Sequence, residues 1–203
     1  SYAAEGNLEA AAEARLQAIE ATAHKNVYVT VLYELGDYYV ATAQYELAAA
    51  QYLAILDVAQ TNATRGDALY QAGNAQLLAG NETVAYELFE RAFNQYPQAY
   101  TSYLGLVELV DAGIVVDEYQ RGLVDYYAGA YLPALDAFDR YIIAQEAISE
   151  TVSADVYLWQ AYSHEGLGNV AAAVEALEQY GARQPAGAAL EQAQLYFRND
   201  LWE

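Results

Sequence analysis

Residues 70–97 read YQAGNAQLLAGNETVAYELFERAFNQYP, with Gly73 and Gly80 seven positions apart ahead of a helix-forming run. Glycines in front of a helix can cradle a phosphate, because the first backbone N–H groups of the helix point at the anion. A phosphate loop of that kind ends in Gly-Lys-Ser/Thr. Here Gly80 is followed by Asn-Glu-Thr, so that ending is lacking. The two histidines, His24 and His164, form no HExxH or other paired spacing, so no zinc site is expected. There are no cysteines, which removes thiolate catalysis, disulfides and Cys-based metal sites. Glu87/Glu90 and Asp136/Asp139 alternate with apolar positions, as on a solvated helix face, and isolate no acid–base pair. No GxSxG occurs. The expectation is a chain with no catalytic residues, no metal site and no cofactor.

The 203 residues carry 28 acids against 8 bases, a formal net charge of −20, with Lys25 the single lysine. Nucleic acid is excluded as a partner, since binding it needs clustered Lys and Arg to neutralise phosphates. Anionic membrane surfaces are disfavoured on the same ground, and a cationic or neutral partner approaches more easily. No run reaches the roughly 20 apolar residues of a bilayer span; the most apolar stretch, LVELVDAGIVV (106–116), is broken by Glu108 and Asp111. Hydrophobic residues make up 56% of the chain, so the acidic surface encloses ample core.

The elements that carry these residues repeat. Starting from Gly80, Gly168, Gly6, Gly129 and Ala43, five segments align without gaps. Five residues on, every copy has alanine: Ala85, Ala173, Ala11, Ala134 and Ala48. Four further on stand Phe89, Leu177, Phe138 and Tyr52, with Arg15 in the remaining copy; three beyond come Ala92, Tyr180, Tyr141, Ile55 and Ala18. Offsets of four and three place these residues on one stripe of a helix. Each segment follows another amphipathic one, and Gly36 and Gly73 fall inside those. Glycine within a helix costs about 1 kcal/mol against alanine, so both predict a neighbour too close for a Cβ. Gly80 instead suits a left-handed helix end, with Asn81 capping the next helix.

The pattern resembles the tetratricopeptide repeat, a helix–turn–helix of about 34 residues. Residues 66–99 carry it through Leu69, Ala72-Gly73, Gly80, Ala85, Phe89, Ala92 and Pro97, and residues 29–62, 115–148 and 154–187 carry further copies. Residues 1–23 read as a half repeat, 98–112 as an extra helix and 186–203 as a partial repeat or capping helix. The resemblance implies an all-α fold: a single right-handed superhelical solenoid of antiparallel helix pairs, about eleven helices over residues 1–203. It also implies a non-catalytic scaffold for a protein or peptide partner.

Within that family the first helix of each pair lines the concave groove. Carried over, the groove side comprises Tyr33, Asp37, Tyr70, Asn74, Tyr119, Tyr126, Tyr127 and Tyr162, with Leu123 and Leu158. Tyrosine, present 21 times, gives flat contact area and a hydroxyl; the same tyrosines would equally serve packing between repeats. Chaperone-binding members clamp C-terminal carboxylates with Lys, Arg and Asn here, whereas this chain has Tyr, Asp and Leu. An acidic C-terminal peptide is therefore not expected to bind.

The run VDAGIVVDEYQRGLVDYYAGAY (110–131) looks like part of the α-helical superhelix of bacterial soluble lytic transglycosylases. That likeness implies an alternative: the non-catalytic part of an extracytoplasmic enzyme that contacts peptidoglycan, with a glycan strand as ligand. It also favours the bacterial periplasm or cell surface over the cytoplasm. Both ends fall inside a repeat, so the chain is expected to belong to a longer polypeptide or a larger assembly. Leu195, Phe197, Leu201 and Trp202 are expected to form an open apolar end covered by a partner.

Overall fold

The computed structural model describes residues 25–199 together with Ala10 and Ala14. Apart from those two alanines, the half repeat 1–23, with Ala11, Arg15 and Ala18, lies outside the described residues, as do His24, Leu201 and Trp202. Ten helices cover the rest and no strand occurs among the described residues. They are α1 (Lys25–Ala41), α2 (Tyr45–Val58), α3 (Asn62–Leu78), α4 (Glu82–Gln95), α5 (Tyr100–Asp111), α6 (Glu118–Tyr127), α7 (Tyr131–Ala147), α8 (Ala154–Gly166), α9 (Val170–Gly181) and α10 (Pro185–Arg198). Within each of two units, consecutive helices pack on one another in the manner of a tetratricopeptide-like solenoid. Contacts divide the chain into two compact units at Val115/Val116, the first ending with α5 and the second beginning with α6.

The pairing follows from the repeated stripe. Ala85, Phe89 and Ala92 of α4 are all fully buried, and the Phe89 ring lies against α3 at Gly73. A Cβ on Gly73 would sit inside the Phe89 ring edge, 2.8 Å from Cδ1. The glycine thus pays a propensity cost so that the aromatic ring can lie flat on the helix backbone. The same contact joins Gly36 of α1 to Tyr52 of α2, and Gly122 of α6 to Phe138 of α7. In these three pairs the aromatic-on-glycine contact sets the axial position of one helix on the other; in α8 and α9 the matching residues are Ala161 and Leu177, both buried.

Tight turns join the pairs. Gly80 adopts φ +81°, the left-handed conformation glycine enters without steric cost. Asn81 takes the N-cap position of α4 but does not cap it; its amide donates instead to Gln76 Oε1 at 2.8 Å. Asn169, the matching residue before α9, accepts from the Ala172 N–H. The turn between α1 and α2 has no glycine, and Ala43 itself takes φ 58°. Relief of left-handed strain outweighs the extra chain entropy of glycine, so Ala43→Gly is expected to raise stability by about 0.5–1 kcal/mol. A urea midpoint that falls or stays fixed would contradict this.

Helix α5 is tied to the two helices before it. Buried Ser102 donates to the Ala92 and Tyr96 carbonyls at 3.1 and 2.8 Å, satisfying acceptors at the end of α4. Its Gly105 passes Phe89 so closely that a Cβ would lie 3.3 Å from the Phe89 Cβ. Phe89 is therefore held by α3 and α5 together.

Candidate functional site

In the first unit, α1 presents Tyr33 and Asp37 one turn apart, and α3 presents Tyr70 and Asn74 in the same way. The four do not share one role. Tyr33 is half-buried, with its hydroxyl directed to the Thr64 carbonyl at 3.3 Å and its ring 6.1 Å from Tyr52. Burial pushes its hydroxyl pKa up, and a hydrogen bond to Asp67 reinforces the shift. Tyr70 packs its ring 5.7 Å from Phe89. Both tyrosines are largely spent on holding helices together.

Asp37 and Asn74 face a cleft of about 360 Å³ on α1 and α3. Its polar lining is Asp37, Tyr52, Gln71 and Asn74; Val40 and Leu78, with two alanines, form the apolar wall. The Tyr52 hydroxyl donates to Asp37 Oδ1 at 2.6 Å, which fixes the carboxylate in place. Burial raises the Tyr52 pKa first and Asp37 raises it further, so the phenol stays a donor. No lining residue is basic. The cleft combines a carboxylate held by Tyr52 and two side-chain amides with an apolar wall.

In the second unit the tyrosines gather around an aromatic residue that the repeat pattern does not single out. Tyr126 lies at the centre of a ring cluster, 5.1 Å from Trp159, 5.4 Å from Tyr127, 5.8 Å from Tyr131 and 6.2 Å from Tyr162. Trp159 also meets Tyr127 and Tyr162 edge-on. The family pattern points to Leu158 and Tyr162 on α8. The signal for Trp159 was its place three residues before Tyr162, on the same helix face. Tyr127 is exposed, while Tyr126 and Tyr162 are half-buried. Tyr162 donates to Glu191 Oε2 at 2.7 Å, and burial raises its pKa with Glu191 adding to the effect. Tyr119 packs on Tyr141 at 5.2 Å and Phe138 at 6.1 Å, and it also interacts with Trp159 of the cluster.

The expected open end divides. Leu195 is only 2% exposed and packs with Ala161, Ala173, Ala176 and Leu177, so it belongs to the core. The correction has a plain cause: α10 turns its apolar stripe onto α8 and α9, just as a first helix of the next pair would. Phe197, on the other side of α10, is 73% exposed. Arg198 donates two hydrogen bonds to Glu165 at 2.8 Å, tying the end of α10 to α8 and holding the Glu165 pKa low.

Sequence reading also passed over a buried acid. Asp125 of α6 is 3% exposed, and its nearest cation, Arg121 Nε, is 3.7 Å from Oδ2 without a hydrogen bond. Burial pushes its pKa up to about 6, against the opposing pull of Arg121 and Arg140. His164 is half-buried with Nδ1 lacking a hydrogen-bond partner, and no group of three metal-ligating side chains occurs among the described residues.

Consecutive antiparallel helix pairs, three of them locked by a ring on a glycine, define a helical-repeat protein. Two of the pairs are tetratricopeptide repeats: residues 67–99, over α3 and α4, and residues 155–186, over α8 and α9, match the tetratricopeptide repeat family model. No curated protein matches the chain. The repeats mark it as a protein-interaction scaffold. Among the described residues no helix is long and apolar enough to cross a membrane.

Proposed function

We propose that this chain is a non-catalytic scaffold that binds an extended protein or peptide segment through the exposed faces of its first helices. The observation that carries the reading is the cleft on α1 and α3, where Asp37 and Asn74 stand among fixed acceptors above an apolar wall. Extended peptides present backbone N–H groups and alternating side chains to such surfaces. The ring cluster of Tyr126, Tyr127 and Trp159 is a separate contact surface of the second unit. Selection of random displayed dodecapeptides on the intact chain is the test. Enrichment of sequences whose binding is lost in Asn74→Ala supports the reading; no enrichment over an unrelated acidic protein would sink it.

Acidic peptide ends are expected to be rejected. The cleft offers a carboxylate and no base, and like charge in a partly desolvated site repels. Calorimetry with a peptide ending in Glu-Glu-Val-Asp should give no measurable heat; micromolar binding would contradict the assignment. The ring cluster would also suit the apolar faces of sugars, which fits the alternative read from residues 110–131, a peptidoglycan-contacting part of a lytic enzyme. Sedimentation with insoluble peptidoglycan separates the two. A peptide scaffold stays in the supernatant, and depletion of the protein would move the assignment to glycan.

A further inference from the structure

We infer that the cleft on α1 and α3 is a receptor for a cationic side chain, arginine above all, of the bound segment. This rests on the scaffold reading above and adds the chemistry of what is read. Asp37 is the only charged residue in the lining. Tyr52 takes its Oδ1 through a 2.6 Å hydrogen bond and thereby orients the carboxylate, so that Oδ2 is the acceptor the cleft offers. Gln71 and Asn74, from the facing helix, add amide oxygens that can accept further N–H groups. A guanidinium carries five N–H donors in one plane and no acceptor, so it can use a carboxylate and two amide oxygens at once. Val40 and Leu78 supply the apolar surface along which an arginine stem lies while its head reaches the polar floor.

Charge favours the same occupant. Residues 25–115 hold ten acids against three bases, Lys25, Arg65 and Arg91. Neither Arg65 nor Arg91 lines the cleft, and Arg65 is engaged with the Ala59 carbonyl and Asn62. An incoming cation therefore meets no internal competitor there, and the field of the unit draws it in. The arrangement inverts a carboxylate clamp: the protein supplies the acceptors and the peptide supplies the cation.

The test compares fixed-position peptide libraries on the intact chain by fluorescence anisotropy. One library fixes Arg at the central position, a second fixes citrulline, which keeps the shape and loses the charge, and a third fixes Glu. The Arg library is expected to bind at least about tenfold tighter than citrulline, with the preference lost in Asp37→Asn. That variant keeps an acceptor for Tyr52, and its unfolding midpoint checks that the fold is intact. Equal binding of Arg and citrulline would overturn the cation assignment while leaving a peptide scaffold standing. An Arg preference that survives Asp37→Asn would overturn the placement in this cleft. No binding by any library would overturn both the inference and the scaffold reading beneath it.

Discussion

Phe89→Ala is expected to destabilise the first unit by about 3–5 kcal/mol, the largest effect of any single substitution considered. The ring is fully buried and lies on the backbone of α3 at Gly73, beside Tyr70 and Tyr86, with Gly105 of α5 on its other side. Removing it opens a cavity bounded by backbone, which cannot collapse to fill the space. Against a total of about 5–15 kcal/mol for an ordinary domain, that loss brings the unit near its unfolding threshold. The partner substitution gives the sharper test. Gly73→Ala introduces a Cβ that cannot coexist with the ring, and overpacking of this kind costs about 1–3 kcal/mol. Once the ring is gone, the same change should become neutral or favourable, because alanine is the better helix former by about 1 kcal/mol. A double-mutant cycle read by urea unfolding would show this change of sign. Simple additivity of the two substitutions would contradict the proposed lock.

The second large effect is a dependence of stability on pH carried by Asp125. Its folded pKa of about 6 lies above the ordinary aspartate value of 3.8. Folding therefore favours the protonated form. The stability this gives is fully present below about pH 4 and is lost as pH rises through about 6. The loss by pH 7 amounts to about 2–3 kcal/mol. Burial is the main cause. Arg121 and Arg140 oppose it, Glu118 reinforces it, and the salt bridge from Arg140 to Glu118 at 2.9 Å leaves Arg140 a shared cation. Asp125→Asn keeps the volume and removes the titration, so it should flatten the stability curve between pH 4 and 7 and exceed the native chain at pH 7. Parallel curves for the two proteins would contradict the assignment. Because the other carboxylates are common to both, the difference between the curves isolates this residue.

Much of the fold can be read from spacing alone. The alanine and aromatic positions recur at offsets of four and three because each must meet the same facing helix, and Gly36 and Gly73 mark where that helix comes closest. The second helix of each pair is therefore legible from its stripe, and the first helices α1, α3 and α6 from their glycines. The candidate site is legible only in part. Asp37 and Asn74 fall on the cleft because periodicity decides which helix face a residue shares. Periodicity does not decide whether a tyrosine on that face packs or stays free, and Tyr33 and Tyr70 turn inward to neighbouring helices. Trp159 was missed because it lies one residue off the position at which the family pattern looks, although it meets Tyr126 and Tyr127. Leu195 was misread because an apolar residue near the end of a chain can serve either a core or a surface, and only the packing of α10 on α8 and α9 separates the two. Asp125 gave no signal at all; an acid on an amphipathic helix reads as solvated until its neighbours are known.

The most direct measurement is amide hydrogen exchange on the intact chain with and without a saturating peptide from the selection. Binding through the first-helix face predicts that added protection in the first unit concentrates on α1 and α3, around Asp37–Ala41 and Gln71–Leu78. Protection confined to α2 and α4, or unchanged exchange at saturation, would contradict the account.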